Sequence, residues 1–275
     1  MAATPDVRRQ PRRATLYLSP EDTLTGDLML IDARHPVPPE ARHARLSAPF
    51  EGQPDVLMIR HAASALASAV RAAGLDGRVC DSSGFRTASH QLDLWSEASA
   101  ARGELGSAGL VARPGASEHE AGLAIDLGRH WQLAGSQRHG LVRRVGERLR
   151  RELVKHGFVE RYPRRREHVT GMAAEPWHYR FVGSPHSRAM YVLGLTLEEW
   201  LALLSAEATI DRPLAIARNG MVTPCDRKPP RSGSWLVASV PVPRAHLVTL
   251  PRTRGAAYAQ VSGTNCGSVV ITWPA

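Results

Sequence analysis

Apolar residues recur at helical spacing in three stretches of the chain. Between Val56 and Leu75 they return every three or four positions, which predicts an amphipathic helix that ends at Gly74. A second stretch begins after Thr87, a residue suited to cap a helix, and stops at Gly103. The pattern therefore predicts helices at about 56–75, 87–102 and 141–156.

Strand-like alternation is clearest between Gly122 and Leu127. Ile125 and Leu127 face one side of such a strand and Asp126 faces the other, so a carboxylate is expected beside an apolar face. Shorter apolar stretches bounded by turn residues predict further strands at 27–31, 78–80, 158–162 and 179–182.

The character of the sequence changes after about residue 195. Thr196 and Glu199 form a capping-box pattern at the start of a helix. Beyond Arg212, short valine-rich stretches are separated by proline and glycine, which is typical of a small antiparallel β module. We therefore predict a disordered polar tail at 1–15, a main domain at 16–195, and a helix with a β-rich module at 196–275.

Composition removes several function classes. The 275 residues carry a net charge of +9, but all except two of the 35 basic residues are arginines spread along the chain. This spread is typical of an arginine-rich background, so we predict no nucleic-acid partner. No apolar run approaches the roughly 20 residues that span a bilayer. The three cysteines, Cys80, Cys225 and Cys266, are too widely spaced for a zinc ribbon, and we interpret them as buried small apolar residues.

The candidate chemistry lies in two short motifs. His119 and Asp126 are separated by a turn into the predicted strand, and His178 follows a proline that leads into another strand. A carboxylate beside a core is almost always paired or metal-bound, and two imidazoles with one carboxylate form a known arrangement for catalytic zinc. Taken singly, Asp126 fits a strand-end cap and His119 a loop histidine. Together with His178 they predict a metal site.

Glu175 stands three residues before His178. On a regular strand the two side chains point to opposite faces, so we predict that Glu175 precedes the strand and is turned back by Pro176. An ion pair with Arg180 is the alternative role for this carboxylate.

Four stretches between about residues 50 and 190 carry these residues in a characteristic order. They are 83–86 with Gln91, 117–126, 157–163 and 175–180. In this order they resemble the zinc D-alanyl-D-alanine carboxypeptidases of the VanY type, with the related VanX-like dipeptidases and L,D-carboxypeptidases. The resemblance implies an α+β fold that has a central antiparallel sheet, helices and a zinc cleft.

The same resemblance implies roles for the motif residues. His119, Asp126 and His178 would bind one Zn²⁺ per chain, and Glu175 would serve as the general base and acid for water activated at the metal.

Three further residues match family positions that contact the substrate or the developing oxyanion. An arginine fork suits a carboxylate or a tetrahedral oxyanion, and a serine hydroxyl suits the substrate carboxylate. These residues are Arg86, Gln91 and Ser117. For Arg86, a structural ion pair with Asp81 is the alternative.

The implied function is release of a C-terminal D-alanine from peptidoglycan-type peptides. L,D-carboxypeptidase action, D,D-dipeptidase action and non-catalytic binding of cell-wall peptides are the alternatives. The first 15 residues carry arginines without a following apolar run, which predicts a cytoplasmic protein, or a cell-wall enzyme if a signal peptide was removed. The sequence does not specify an oligomeric state.

Two features outside the motifs have open roles. The helix after Thr196 carries Trp200, Leu201 and Leu204, which either pack against the main domain or belong to a ligand-binding module. Of the remaining histidines, His130 and His168 lie nearest to the motifs and are the candidates for supporting the metal ligands.

Overall fold

A computed structural model describes residues 14–43, 45–77, 79, 81–127, 139–225, 233–250 and 259–275. The helices are α1 (Arg60–Ala72), α2 (Ala88–Ser107), α3 (His139–Lys155), α4 (Glu167–Thr170), α5 (His186–Leu193) and α6 (Leu197–Glu207). The strands are β1 (Thr15–Leu18), β2 (Leu46–Ser47), β3 (Met58–Ile59), β4 (Asp81–Ser83), β5 (Ala124–Leu127), β6 (Phe158–Tyr162), β7 (Glu175–Phe181), β8 (Leu214–Ile216), β9 (Val222–Pro224), β10 (Trp235–Pro241), β11 (His246–Thr249), β12 (Gln260–Gly263) and β13 (Ser268–Pro274).

The central sheet has four antiparallel strands in the order β4-β5-β7-β6. One face is apolar, because Ile125 and Leu127 of β5 join a core with Leu66 of α1 and Leu153 of α3. Asp126 lies between those two strand residues and faces a cavity bordered by α2. The predicted α+β class with an antiparallel sheet is therefore confirmed, and the alternation of β5 separates its core residues from its charged residue.

A second antiparallel sheet follows, with five strands in the order β12-β13-β10-β8-β9. The prediction of a β-rich C-terminal part is correct for these strands. Strand β1, near the other end of the chain, pairs with β11, so that Tyr17 lies opposite Leu247. Most of the tail predicted at 1–15 lies outside the described residues, although Thr15 begins β1.

Helix α6 fills the space between the two sheets. The Thr196 hydroxyl caps the helix by accepting a hydrogen bond from the backbone N–H of Glu199. The Glu199 carboxylate accepts one from the backbone N–H of Thr196, as the capping box predicts. Trp200 and Leu204 are fully buried, in a cluster with Val159 of β6 and strand residues of the second sheet. Leu201 packs partly buried against the same cluster. The structure therefore shows the packing role for this helix.

The segment before β2 differs from its prediction. Residues 27–31 form no strand. They are held instead by the hairpin between β12 and β13, because Leu30 donates its N–H to the carbonyl of Thr264 and Asn265 donates its side-chain amide to the carbonyls of Leu30 and Pro36. The apolar residues alternate here because successive side chains enter two different cores. Met29 and Ile31 join the core of the central sheet, whereas Leu28 and Leu30 join the cluster around α6.

Element boundaries differ in smaller ways. Helix α1 starts at Arg60 rather than at 56. In α2 the backbone is non-helical at Gly103 (φ 73°, ψ 161°), where the sequence predicted that the helix stops, and a further helical turn continues to Ser107. The strand predicted at 78–80 lies instead at β4, and positions 78 and 80 are outside the described residues.

The cysteine interpretation is wrong where it can be checked. Cys266 is exposed, and Cys225 is half-buried against an apolar cluster of the second sheet. Cys80 lies outside the described residues.

Within the described part of the chain, no single helix has both the length and the hydrophobicity needed to cross a membrane. Helices α5 and α6, bent by 101° relative to each other, meet those two criteria only as a pair.

His186 joins α5 to α6 and to β13. Its Nδ1 accepts a hydrogen bond from the Trp200 indole at 3.3 Å, and its Nε2 lies 2.9 Å from the Thr272 hydroxyl. Burial lowers the pKa of His186 to about 4, so the imidazole is neutral in the folded protein at pH 7.

We expect this neutral imidazole to make the fold acid-sensitive. The folded-state pKa is below the unfolded value, so the contribution of His186 is complete above about pH 6.5 and is lost as the pH falls towards 4, by about 1.4 kcal/mol per pH unit. Urea unfolding at pH 7 and pH 5 should show a loss about 2 kcal/mol larger for wild type than for His186→Gln, which keeps one donor and one acceptor. An equal loss in both proteins would contradict this assignment.

Candidate metal centre

Two neighbouring strands and a tight turn bring three potential ligands together. Asp126 of β5 and His178 of β7 are directly opposite each other in the antiparallel register. His119 comes from a 3-10 turn, Glu118–Ala121, that ends at Gly122 just before β5.

The glycine at the end of this turn is required for two reasons. Its φ of 66° is left-handed, and a Cβ there would lie 3.0 Å from the Leu46 side chain and 3.2 Å from the Ile59 nitrogen. Gly122 thus lets the chain turn sharply while it touches β3.

Two imidazole nitrogens converge on one carboxylate oxygen. His119 Nε2 lies 3.4 Å and His178 Nδ1 lies 3.2 Å from Asp126 Oδ1. One atom from each residue falls within 4.8 Å of the others, and both histidines are buried. The motifs predicted that these three residues meet, and they lie together in the structure.

The donor set fits a zinc ion. Two imidazole nitrogens and one carboxylate oxygen with an open fourth position match catalytic zinc sites. The other ring nitrogen of each histidine faces an acceptor, the Gly84 carbonyl at 2.7 Å for His119 and the Glu118 carboxylate at 3.2 Å for His178. A proton on those outer nitrogens leaves His119 Nε2 and His178 Nδ1 free to bind a metal.

The electrostatics of the group depend on mutual pairing. Burial would raise the pKa of Asp126, but hydrogen bonds from His119 and His178 outweigh it and hold that pKa well below the ordinary value. Burial lowers the pKa of His119. Burial opposes the charge on His178 as well, yet its contacts with Asp126 and Glu118 raise its pKa to about 9. The two carboxylates around His178 thus favour a positive charge at this position, and a metal cation would take the place of the proton on its Nδ1.

Glu175 lies beside this group, with Oε2 3.5 Å from His178 Nδ1. Two expectations about it need correction. Glu175 does not precede the strand but begins β7, where the pairing register with β6 shifts between Glu160 and Tyr162. This shift replaces strict alternation and brings Glu175 to the same site as His178.

The alternative ion pair of Glu175 with Arg180 is not formed, because the Arg180 guanidinium is directed to Glu118 and to backbone carbonyls. Burial raises the pKa of Glu175, and nearby Asp126 raises it further against the influence of His178.

Arg86 is anchored by three side chains. Arg86 donates to Asp126 Oδ2 at 2.9 Å and to the Ser83 hydroxyl at 2.8 Å, and its Nη1 lies 3.4 Å from Gln91. Gln91 is buried and donates to the Ala112 carbonyl at 2.8 Å. The structure therefore joins Arg86 to Asp126 and to the candidate metal site.

A cavity of about 480 Å³ opens over the group. Ser117, Arg86 and Gln91 all line it, together with the three potential ligands and Glu175. From there it continues along α2, past Leu94 and Ala98. The residues predicted for the site are thus collected in one cavity. Its remaining wall is formed by Glu97, Ala101, Arg102, Leu110, Val111, Ala112, Glu118, Tyr162, Met172 and Trp177.

Sequence reasoning missed the charged residues beneath the site. Glu118 is completely buried and pairs with Arg161 and Arg180, each at 2.7 Å. Burial opposes its charge, but the two arginines lower its pKa well below the ordinary value. The available signal was an arginine in each of two largely apolar strands, at Arg161 in β6 and Arg180 in β7.

Of the two histidines considered as supports for the metal ligands, His168 lies within the described residues and does not contact those ligands. His168 is exposed and lines a second cavity of about 290 Å³. His130 lies outside the described residues.

Sequence comparison places this chain among characterised peptidases. A sequence model described as VanY, D-alanyl-D-alanine carboxypeptidase, matches residues 57–184. The bifunctional D-Ala-D-Ala dipeptidase and carboxypeptidase VanXYC of Enterococcus gallinarum is 34% identical over 176 residues, which are 63% of this chain and 92% of that protein. A D-alanyl-D-alanine carboxypeptidase of Enterococcus faecalis is 31% identical over 206 residues, 71% of this chain and 74% of the relative.

Solved structures agree with the sequence matches. The vancomycin-resistance D,D-dipeptidase VanXYg, in complex with a phosphinate analogue of D-Ala-D-Ala, superposes with a TM-score of 0.78 at 26% identity, covering 96% of this chain and 100% of that one. A D,D-pentapeptidase VanY from a VanB-type resistance cassette, in complex with Zn(II), gives a TM-score of 0.53 at 30% identity, covering 64% of this chain and 98% of that one.

The turn at Gly122 provides a test of the site geometry. Gly122→Ala and Gly171→Ala both place a side chain at a φ near 70°, but only Gly122 has close neighbours. Each change should reduce the free energy of unfolding by about 1–2 kcal/mol through backbone strain.

Gly122→Ala should in addition reduce zinc affinity by about 10-fold, because it displaces His119. Urea unfolding and a zinc-binding titration measure the two effects. Equal zinc affinity in both variants would show that the turn does not set the ligand geometry.

Proposed function

The chain belongs to the VanY family of D-alanyl-D-alanine carboxypeptidases, and from this membership we propose that it is a zinc metallopeptidase that releases C-terminal D-alanine from peptidoglycan-type peptides. The observation that carries the proposal is the convergence of His119, Asp126 and His178 with Glu175 at their side. A binding protein without catalysis has no use for a carboxylate at that position.

His119, Asp126 and His178 would hold one Zn²⁺ per chain. The chemistry that zinc supplies when bound is Lewis acidity, which makes water a nucleophile near neutral pH. The protein's own part is to keep both ring nitrogens deprotonated towards the ion, which the outer contacts with Gly84 and Glu118 do.

Glu175 would move the proton in the reaction. Its carboxylate accepts the proton of the attacking water and later donates it to the departing amine, a role typically worth about a hundred- to ten-thousand-fold in rate. Burial beside Asp126 raises the pKa of Glu175, and a raised pKa helps the same group to act as an acid in the second step.

Arg86 would stabilise negative charge on the substrate. Its side chain is fixed by Ser83 and Asp126, so the guanidinium is already oriented before substrate enters. Ser117, which is buried at the same cavity, offers a hydroxyl for the terminal carboxylate.

The cavity has room for a substrate longer than two residues. It runs along α2 to Glu97 and Arg102, and Trp177 is 38% exposed beside the candidate metal site. A peptide stem thus has both charged and apolar surface to contact on one side of the scissile bond.

Dipeptidase action on D-Ala-D-Ala is the second candidate. The superposition with a D,D-dipeptidase over 96% of this chain favours it as an additional activity.

We further propose a reducing, cytoplasmic location. Cys266 is an exposed thiol, as is usual for proteins of such compartments. Fractionation of the source cells with an antibody to the chain tests this.

Replacement of the catalytic carboxylate is the direct test of the mechanism. Glu175→Gln should lower kcat for D-alanine release by about a thousand-fold while zinc content stays at one ion per chain, because the amide cannot exchange the proton. Glu160→Gln is the matched control, since Glu160 pairs with Arg150 away from the site. A Glu175→Gln protein of unchanged rate would rule out this mechanism.

The substrate is tested by mass spectrometry of three reactions with the zinc-loaded protein. We expect rapid D-alanine release from the stem pentapeptide, slower cleavage of free D-Ala-D-Ala, and at least about 10-fold less release from the tetrapeptide, whose last bond follows an L-centre. Faster cleavage of the tetrapeptide would assign the protein to the L,D-carboxypeptidases instead.

A further inference from the structure

A buried carboxylate lies directly behind the zinc site. Glu118 has no exposed side-chain surface, and its two oxygens have different partners. Oε2 faces the outer nitrogen of His178 at 3.2 Å. Oε1 accepts hydrogen bonds from Arg161 Nε and Arg180 Nη1, each at 2.7 Å. The orientation of the His178 ring is therefore tied to a carboxylate that is itself held by two arginines.

Arg161, one of these arginines, also contacts the C-terminal part of the chain. The two terminal nitrogens of Arg161 donate to both oxygens of Glu198, at 3.0 and 2.7 Å. Glu198 stands in the first turn of α6, the helix packed between the two sheets. Bidentate arginine–carboxylate pairs of this kind fix both partners in one geometry.

The other arginine leads to the same part of the molecule by a second route. Arg180 donates Nη2 to the carbonyls of Asp27 and Met29. That segment is fastened by the β12–β13 hairpin through Leu30 and Asn265. Both arginines behind the site thus depend on contacts with residues beyond 195.

Charge balance makes the contact of Arg161 with Glu198 more important than the contact of Arg180 with the carbonyls near Met29. Arg161 and Arg180 are buried, and the carboxylates that face them are Glu118 and Glu198. Removing the Glu198 charge leaves Arg161 with an unbalanced buried charge, and breaking a buried pair in this way is strongly unfavourable. The guanidinium would then shift, and Glu118 would follow it away from His178.

We infer that Glu198 is a positioning residue for the zinc site, acting through Arg161 and Glu118 on His178. The inference rests on the proposed function and adds to it a role for the C-terminal part. Helix α6 then contributes to zinc affinity although no residue of it lines the metal-site cavity.

Helix α6 also supplies a matched control. Glu199 is the next residue, and it pairs with Arg166, which is 37% exposed, and caps the helix at Thr196. Glu199→Gln therefore removes the same charge from the same turn of helix without a connection to Glu118.

The experiment measures zinc affinity of the purified full-length protein by competition with a chromophoric chelator. Glu198→Gln should bind zinc about 3- to 10-fold more weakly than wild type, while Glu199→Gln binds it as wild type does. Thermal unfolding of the metal-free variants checks that both remain folded. Wild-type zinc affinity in Glu198→Gln would overturn the inference.

A double-mutant cycle tests the route. Glu118→Gln should weaken zinc binding by about 10- to 100-fold, and adding Glu198→Gln to it should change the affinity by less than about two-fold. Two effects that multiply would show that Glu198 acts independently of Glu118, against the inference.

Failure of the proposed function gives a different pattern. If the wild type itself binds no zinc, the function and the inference both fail. If the wild type binds zinc and cleaves the pentapeptide while Glu198→Gln matches it in zinc affinity, only the inference fails.

Discussion

Burial of the Glu118 carboxylate constrains the whole arrangement of this protein. A charge without water contact is tolerated only where partners surround it, and here the partners come from β6 and β7. The remaining guanidinium nitrogens of Arg161 and Arg180 also need hydrogen-bond acceptors. Glu198 of α6 and the Met29 carbonyl supply them. His178 of the candidate metal site, the central sheet and the C-terminal part are in this way connected through one carboxylate.

The local chemistry was predictable from the sequence because it depends on short spacings. Asp126 lies between two core residues on a strand of period two, so its direction followed from alternation alone. Gly122 and Thr196 were likewise visible as a turn and a cap. The conformations at Gly122 and Thr196 depend on a few residues that are adjacent in the sequence, so they can be predicted without knowledge of distant contacts.

What the sequence did not reveal depends on distant pairing. Glu118 and Arg180 are 62 positions apart, and no spacing rule relates them. The prediction for Glu175 was wrong for a different reason. It assumed regular alternation along the strand, and a register shift between β6 and β7 interrupts that alternation. Residues 27–31 have the composition of a strand but meet carbonyl and hydroxyl partners instead of a sheet.

The pairing of β1 with β11 has a consequence for the order of folding. Both this strand pair and the hydrogen bond between Leu28 and Ser262 join residues separated by about 230 positions. Contacts of such sequence separation carry a large loop-closure entropy and form slowly. During synthesis the metal-site motifs emerge well before the hairpin that fastens the segment under Arg180. The segment under Arg180 therefore gains its support only after the β12–β13 hairpin has been made, which places completion of the metal site late in folding.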